Sequence, residues 1–390
     1  MTFIFLLIFV ICLAYSLLII YYTIGWVKAK KNINYNITPK TFISVVVSAR
    51  NEEKNIKNLL DSIHKQIYTN FELIIIDDHS KDNTVQIIEN FNFKNCSVLK
   101  LNDNQQGKKE ALYTAISKSK GELIVTTDAD CIMGKNWLYN IATFFQQEKA
   151  EFIIGPVKQT ITNNFFQNLF SLDFLSLQAA GAGATELQNP FMCNGANLAF
   201  TKNLWKKTNI IEGQKYASGD DVFFLHTAIN IILKKSIRFL FSEDAIVSTN
   251  SPANISEFFE QRIRWASKAK GYKNKIAILT SFIILMYNLL LLCLLTISPF
   301  SIKVFYGFIL TLSVKLIIDF PILYISSKFY GQKKLLWFYL PLQLIYYLYL
   351  PIIAVLSLIK KYKWKGRVCD NINSMSMEEQ KNKIQEEIEN

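Results

Sequence analysis

Apolar residues run almost unbroken from 3 to 26 and again through three later stretches, about 276–298, 304–326 and 335–359. The first is long enough to cross a hydrocarbon layer of about 30 Å. No charge precedes it and no small-residue cleavage site follows it, so residues 1–30 read as a retained membrane anchor. Lys28, Lys30 and Lys31 come next, with Tyr21, Tyr22 and Trp26 at the level of an aromatic belt, a flank that predicts a cytoplasmic domain after the anchor. Residues 276–360 hold the later membrane segments. If all three cross, the basic run at 360–367 ends outside, against the positive-inside tendency. A re-entrant or interfacial last segment, marked by Pro341 and Pro351, would remove the conflict. In the middle stretch Lys315 and Asp319 stand at i, i+4, either as a self-neutralising pair packed against other helices or as a polar lining.

Between 40 and 250 the period changes. Phe42-Ile43-Ser44-Val45-Val46-Val47 reads as a buried strand, and 51–65 as an amphipathic helix with Ile56, Leu59, Leu60 and Ile63 on one face. Strands follow at 71–76, 96–101 and 122–125, with helices at 83–91 and 108–119 between them. Strands alternating with helices predict an α/β fold, a mainly parallel sheet with helices on both faces, here flanked by transmembrane helices. Ligands of such sheets sit beyond the carboxyl ends of the strands. Three polar clusters fall there: Arg50-Asn51-Glu52-Glu53, Asp77-Asp78, and Asp128 with Asp130. Residues 165–184 predict a half-buried helix, with a helix on the membrane surface as the alternative. Residues 251–275 form a basic amphipathic stretch next to the membrane segments, and 361–390 a basic, then polar tail.

Composition narrows the class. The 390 residues are 51% hydrophobic and 19% charged, which fits membrane segments joined to a water-soluble domain. The net charge of +12 gathers beside the membrane segments, which suits anionic head groups or phosphorylated substrates and argues against nucleic acid. Six scattered cysteines without a CxxC pair and three histidines argue against a disulfide framework or a zinc site. A transporter built on Lys315 and Asp319 would leave 40–250 unexplained.

Asp128 and Asp130 lie at a strand end with Ala129 between them, so both carboxylates share one side. Two carboxylates at that spacing suit Mg2+ or Mn2+ carrying phosphates. Lys108 follows Gly107 at a helix start, where backbone N–H groups and an ammonium both suit a phosphate. Gln261, Arg264 and Trp265 stand at i, i+3, i+4 and share a helix face, with Arg262 and Ile263 pointing elsewhere.

Taken in order, Val46-Val47-Ser48-Ala49-Arg50-Asn51-Glu52-Glu53, the segment from Asp77-Asp78 to Thr84, Gly107-Lys108, Thr127-Asp128-Ala129-Asp130, Cys193-Asn194-Gly195-Ala196-Asn197, Gly219-Asp220-Asp221 and Gln261-Arg262-Ile263-Arg264-Trp265 make this chain resemble membrane-bound family 2 glycosyltransferases of the GT-A (Rossmann-like) type. Polysaccharide synthases and ceramide glucosyltransferase-like enzymes share the QxxRW motif. The resemblance implies that Ala49, Arg50, Asn51, Glu52, Asp77 and Asp78 hold the base and ribose of a UDP-sugar donor. It implies that Lys108, Asp128, Gln261, Arg264 and Trp265 hold its diphosphate and sugar, and that Asp128 and Asp130 take the metal. Asp221 becomes the general base and Asp220 its support, in an inverting transfer at the cytoplasmic face of the inner membrane. The acceptor is then a membrane lipid or a growing polysaccharide. The alternatives are a processive exopolysaccharide synthase that also translocates its product, and a catalytically silent nucleotide-sugar-binding membrane protein. Asp77-Asp78 also admits a purely local reading, an Asx-type turn opening the next helix.

Overall fold

The computed structural model describes residues 2–29, 37–208, 220–359, 362–364 and 367–369. Gly219, Lys30, Lys31 and most of the predicted tail lie outside the described residues.

The α/β domain is built on strands β1 (Ile43–Ala49), β2 (Phe71–Asp77), β3 (Cys96–Lys100), β4 (Leu123–Asp128), β5 (Ile132–Met133), β6 (Phe152–Ile154), β7 (Val157–Gln159), β8 (Leu198–Thr201), β9 (Ile237–Phe239) and β10 (Val247–Thr249). The main sheet has seven strands in the order β3-β2-β1-β4-β8-β6-β9. The first four are parallel, β8 runs antiparallel to both β4 and β6, and β9 is parallel to β6. A small sheet, β5-β10-β7, sits beside it. The β1 residues are buried on both faces, as the unbroken Val45-Val46-Val47 run requires: Val45 and Val47 join one core, Val46 the other.

Register aligns the polar strand ends. Ala49 pairs with Asp77, and Ser48 with Asp128, so three strands deliver their termini to one edge. β1 lies between β2 and β4, where the order of the strands reverses, and the crevice of a doubly wound sheet opens at such a point.

The helices within or beside this domain are α2 (Ile56–His64), α3 (Thr84–Asn90), α4 (Lys108–Lys118), α5 (Trp137–Glu148), α6 (Phe165–Glu186), α7 (Lys202–Thr208), α8 (Asp220–Ile231) and α9 (Ile255–Ser267), following the N-terminal α1 (Thr2–Lys28). α2 starts at Ile56, later than the predicted 51, because Asn51 adopts φ 51° and the next residues are tied to the 80–84 loop. α6 is largely buried, which favours the interior reading of 165–184.

Among the described residues, four helices are long and apolar enough to cross a membrane: Leu6–Lys28, Lys275–Phe300, Ile302–Phe329 and Lys333–Ile359. They correspond to α1, α10 (Lys275–Ile297), α11 (Ile302–Phe329) and α12 (Tyr339–Ile359) with their flanking turns. Pro341 falls in the first turn of α12, where its missing N–H costs nothing, so it does not break the segment. The carboxyl end of α1 docks on the domain. Gly25 and Gly183 meet backbone to backbone, and a Cβ on Gly25 would overlap the Gly183 carbonyl. That contact corrects the aromatic-belt expectation: Tyr22 and Trp26 are fully buried, Trp26 against Phe239, Phe241, Phe329 and Tyr330.

Lys315 and Asp319 face each other inside the bundle. Lys315 Nζ donates to Asp319 at 2.5 Å and to the Tyr15 hydroxyl at 2.8 Å. Tyr15 donates to both Asp319 oxygens, at 2.7 and 2.9 Å, and Gln343 Nε2 adds a donor at 3.0 Å. Of the two readings of this pair, the packed and self-neutralising one fits these contacts.

Candidate active site

One cavity of about 420 Å³ opens at the carboxyl edge of the sheet. Ser48, Arg50, Glu52, Lys108, Asp128, Asp130, Asp220, Asp221, Gln261, Arg264 and Trp265 all line it. Ala49, Asn51, Asp77 and Asp78 lie beside it without lining it. Asp77 accepts the Ser80 N–H at 3.3 and 3.2 Å, the Asx-type turn. Asp78 is fully buried, and Arg50 donates to its carbonyl at 2.5 Å. Asn51 accepts from Lys81 N–H at 2.9 Å and donates its own N–H to Ser80 at 3.0 Å. These four residues brace the wall of the crevice.

Lys108, in the first turn of α4, pairs with Asp128. Burial opposes its charge, but Asp128, then Asp221 and Asp220, outweigh that and hold the ammonium above its ordinary value. Asp130 accepts the Thr249 hydroxyl at 2.9 Å. Burial and the adjacent Asp128 push its carboxyl upward. Two crowded carboxylates, one disfavoured as an anion, are a donor set that a divalent cation would relieve. Among the described residues no group of three or more His, Cys, Asp or Glu side chains could hold a metal. The arrangement therefore fits Mg2+ or Mn2+ held by one or two carboxylates and completed by substrate phosphates.

Asp221 opens α8. Its Oδ2 accepts the Gly195 N–H at 2.9 Å and its Oδ1 the Val222 N–H at 2.9 Å. A Cβ on Gly195 would sit 3.6 Å from Asp221 Oδ2 and 3.7 Å from Lys108 Nζ, so the absence of a side chain there keeps the space between them clear. Burial and Asp221 raise Asp220 to about 6, with Lys108 and Lys268 opposing. Asn197, in the same motif as Gly195, is structural: it donates to Pro156 and Ala245 carbonyls at 2.9 Å and accepts from Trp137 at 3.0 Å.

On α9, Arg262 turns away from the cavity, as its helical position predicts. It pairs with Asp173 of α6, and Tyr349 of α12 donates to the same carboxylate at 2.7 Å. Its guanidinium lies 4.8 Å from the Phe258 ring and 4.5 Å from the Trp265 ring. A candidate membrane-spanning helix, a domain helix and the QxxRW helix are thus joined beneath Trp265.

Sequence reasoning missed Thr249, Lys268 and Tyr272, which also line the cavity. Lys268 had a signal, at i+7 from Gln261 on the same helix face. Thr249 had none, since only the fold brings it to Asp130.

Residues 44–206 match the Glycosyl transferase family 2 model. The chain is 32% identical over 130 residues to the poly(ribitol-phosphate) beta-N-acetylglucosaminyltransferase TarS of Staphylococcus aureus, covering 33% of this chain and 23% of that protein. It is 32% identical over 127 residues to the beta-monoglucosyldiacylglycerol synthase of Trichormus variabilis, covering 31% of this chain and 27% of that one. The matched region is thus about a quarter of the length of these curated relatives, 23% and 27%. Among solved structures, the mannosyltransferase PcManGT of Pyrobaculum calidifontis, in complex with GDP-Man and Mn2+, superposes with a TM-score of 0.55 at 18% identity, over 90% of this chain and 99% of that one. At that identity the likeness speaks to the fold.

Proposed function

The chain carries a family 2 glycosyltransferase domain over residues 44–206, and from that premise we propose that it is an inverting, metal-dependent glycosyltransferase that moves sugar from a UDP-sugar to a membrane-lipid or polysaccharide acceptor at the cytoplasmic membrane face. One observation carries this reading: a single cavity gathers Lys108, Asp128, Asp130, Asp221 and the Gln261/Arg264/Trp265 face from loops and helices far apart in sequence.

The chain's own groups divide the work. Asp221, fixed by two backbone N–H donors, takes the proton of the acceptor hydroxyl. The acceptor oxygen bonds to the anomeric carbon as the bond to the diphosphate breaks on the opposite side. Lys108 and Arg264 meet the charge left on the diphosphate. Trp265, supported by Arg262, offers a plane for the sugar ring. A divalent cation on Asp128 and Asp130 would supply Lewis-acid neutralisation of the leaving diphosphate.

The test incubates membranes containing the protein with a panel of radiolabelled nucleotide sugars and separates organic-phase lipid product from polymer. We expect transfer from a UDP-sugar that Asp221→Asn lowers by about 10²–10⁴-fold. Transfer at the wild-type rate in that variant would remove Asp221 as the base, and absence of transfer from any donor would remove the assignment.

A further inference from the structure

Lys268 ends the row Gln261, Arg264, Trp265, Lys268 along one face of α9. It lines the cavity and is 8% exposed. Its ammonium makes no hydrogen bond and no ion pair within 4.0 Å among the described residues. The side chain is buried while it lines the cavity, so an ammonium without a protein partner is available to an anion that enters there. Burial presses its pKa down to about 8, with Arg264 and Lys108 adding to that and Asp221 and Asp220 opposing it.

Its carboxylate neighbours set it apart from Lys108: Lys108 pairs with Asp128, whereas the carboxylate that acts most strongly on Lys268 is Asp221. The chain beyond it turns through Lys268–Gly271 and enters α10 at Lys275, where a candidate membrane span begins. Asp220 Oδ1, in the wall of the same cavity, is buried with no hydrogen-bond partner among the described residues, ready to accept from a hydroxyl.

We propose that Lys268 is the phosphate-binding cation of the acceptor subsite, and that the acceptor is a phosphate-bearing lipid whose nearby hydroxyl reaches Asp221. This rests on the glycosyltransferase reading, which fixes Asp221 as the point where the acceptor is activated. The same ammonium chemistry would also suit a donor diphosphate, so the test must tell the two sources apart.

The full chain in phosphatidylcholine nanodiscs is saturated with UDP and Mn2+ and titrated with sn-glycerol 3-phosphate, with glycerol as the uncharged control, by calorimetry. Glycerol 3-phosphate, but not glycerol, should bind the UDP-loaded wild type. Lys268→Met and Lys268→Gln, two neutral replacements in case one fails to fold, should weaken that binding by about tenfold or more, and Lys268→Arg should restore most of it. UDP affinity should change by less than about twofold in all three. Equal phosphate binding in the neutral variants, or none in the UDP-loaded wild type, overturns the proposal. A tenfold loss of UDP affinity in the neutral variants instead assigns Lys268 to the donor and also overturns it. If the wild type does not bind UDP at all, the UDP-sugar reading fails, and titration without UDP still decides whether Lys268 binds phosphate.

Discussion

The apolar helix bundle and the cavity both contain an ion pair of lysine and aspartate, built in opposite ways. Lys315 and Asp319 are 3% and 11% exposed, with Tyr15 and Gln343 filling the remaining hydrogen-bonding capacity of the carboxylate. Lys108 and Asp128 are 31% and 36% exposed and face a water-accessible space. Water screens the second pair, so opening it costs little and leaves Lys108 open to an anion and Asp128 to a cation. The first is sealed in a low-dielectric bundle, where separating the charges is expensive and nothing invites it. Arg262 and Asp173 follow the sealed design, at 8% and 3% exposure, although they lie directly beneath the cavity. The molecule locks the pairs that hold its helices and leaves exchangeable the pair that faces the cavity.

The sharpest way to break that contrast is at Asp173. Asp173→Leu strands the buried Arg262 and removes the acceptor of Tyr349, and should cost about 3–5 kcal/mol of stability in detergent-solubilised protein. Pairing it with Arg262→Met should recover most of the loss, because a well-packed apolar pair replaces a costly ionic one. A single variant as stable as the double would show that Arg262 and Asp173 are not coupled. Lys315→Met comes next, at about 1–3 kcal/mol by the same unfolding measurement, since Asp319 keeps its Tyr15 and Gln343 donors. A loss matching that of Asp173→Leu would mean that those donors do not compensate.

Which of these features were readable in advance follows from distance along the chain. The Val45–Val47 run, the polar residues at its end, Asp128/Asp130 and the helical spacing of Gln261, Arg264 and Trp265 are local signals, and they led to the parallel half of the sheet and to most of the cavity wall. The antiparallel β8 was not legible, because its four residues carry no pattern until β4 and β6 flank them. Asp173 looked like a lone charge in an apolar helix, its partner lying 89 residues on. Tyr22 and Trp26 had the composition of lipid-facing residues; only the Gly25–Gly183 contact, between helices far apart in sequence, turns them inward. Local periodicity announces elements and strand ends, whereas the pairing of charges is decided by which elements meet.

Two smaller effects sharpen the exchangeable side. Burial and Asp221 lift Asp220 from 3.8 to about 6, so folding favours its protonated form. The stability this contributes is fully present below about pH 4 and is lost as pH rises through about 6. Asp220→Asn should therefore gain on the wild type between pH 4 and 7.5, by no more than about 2 kcal/mol after allowance for solvent in the cavity. A melting-temperature gap that stays constant across that range would show that Asp220 is not raised.

The smallest change in stability is expected at Lys108. Its pair is half in water, so Lys108→Met should move unfolding by less than about 0.5–1 kcal/mol. The same variant should lose about tenfold in UDP affinity, because the ammonium proposed to meet the diphosphate is gone. Stability and ligand affinity thus separate at Lys108, while at Lys315 only stability should respond. Calorimetric UDP titrations of the two variants put the contrast to its most direct test. If Lys108→Met unfolded as readily as Asp173→Leu, the cavity pair would be one more clamp of the fold, and the difference between the two regions would vanish.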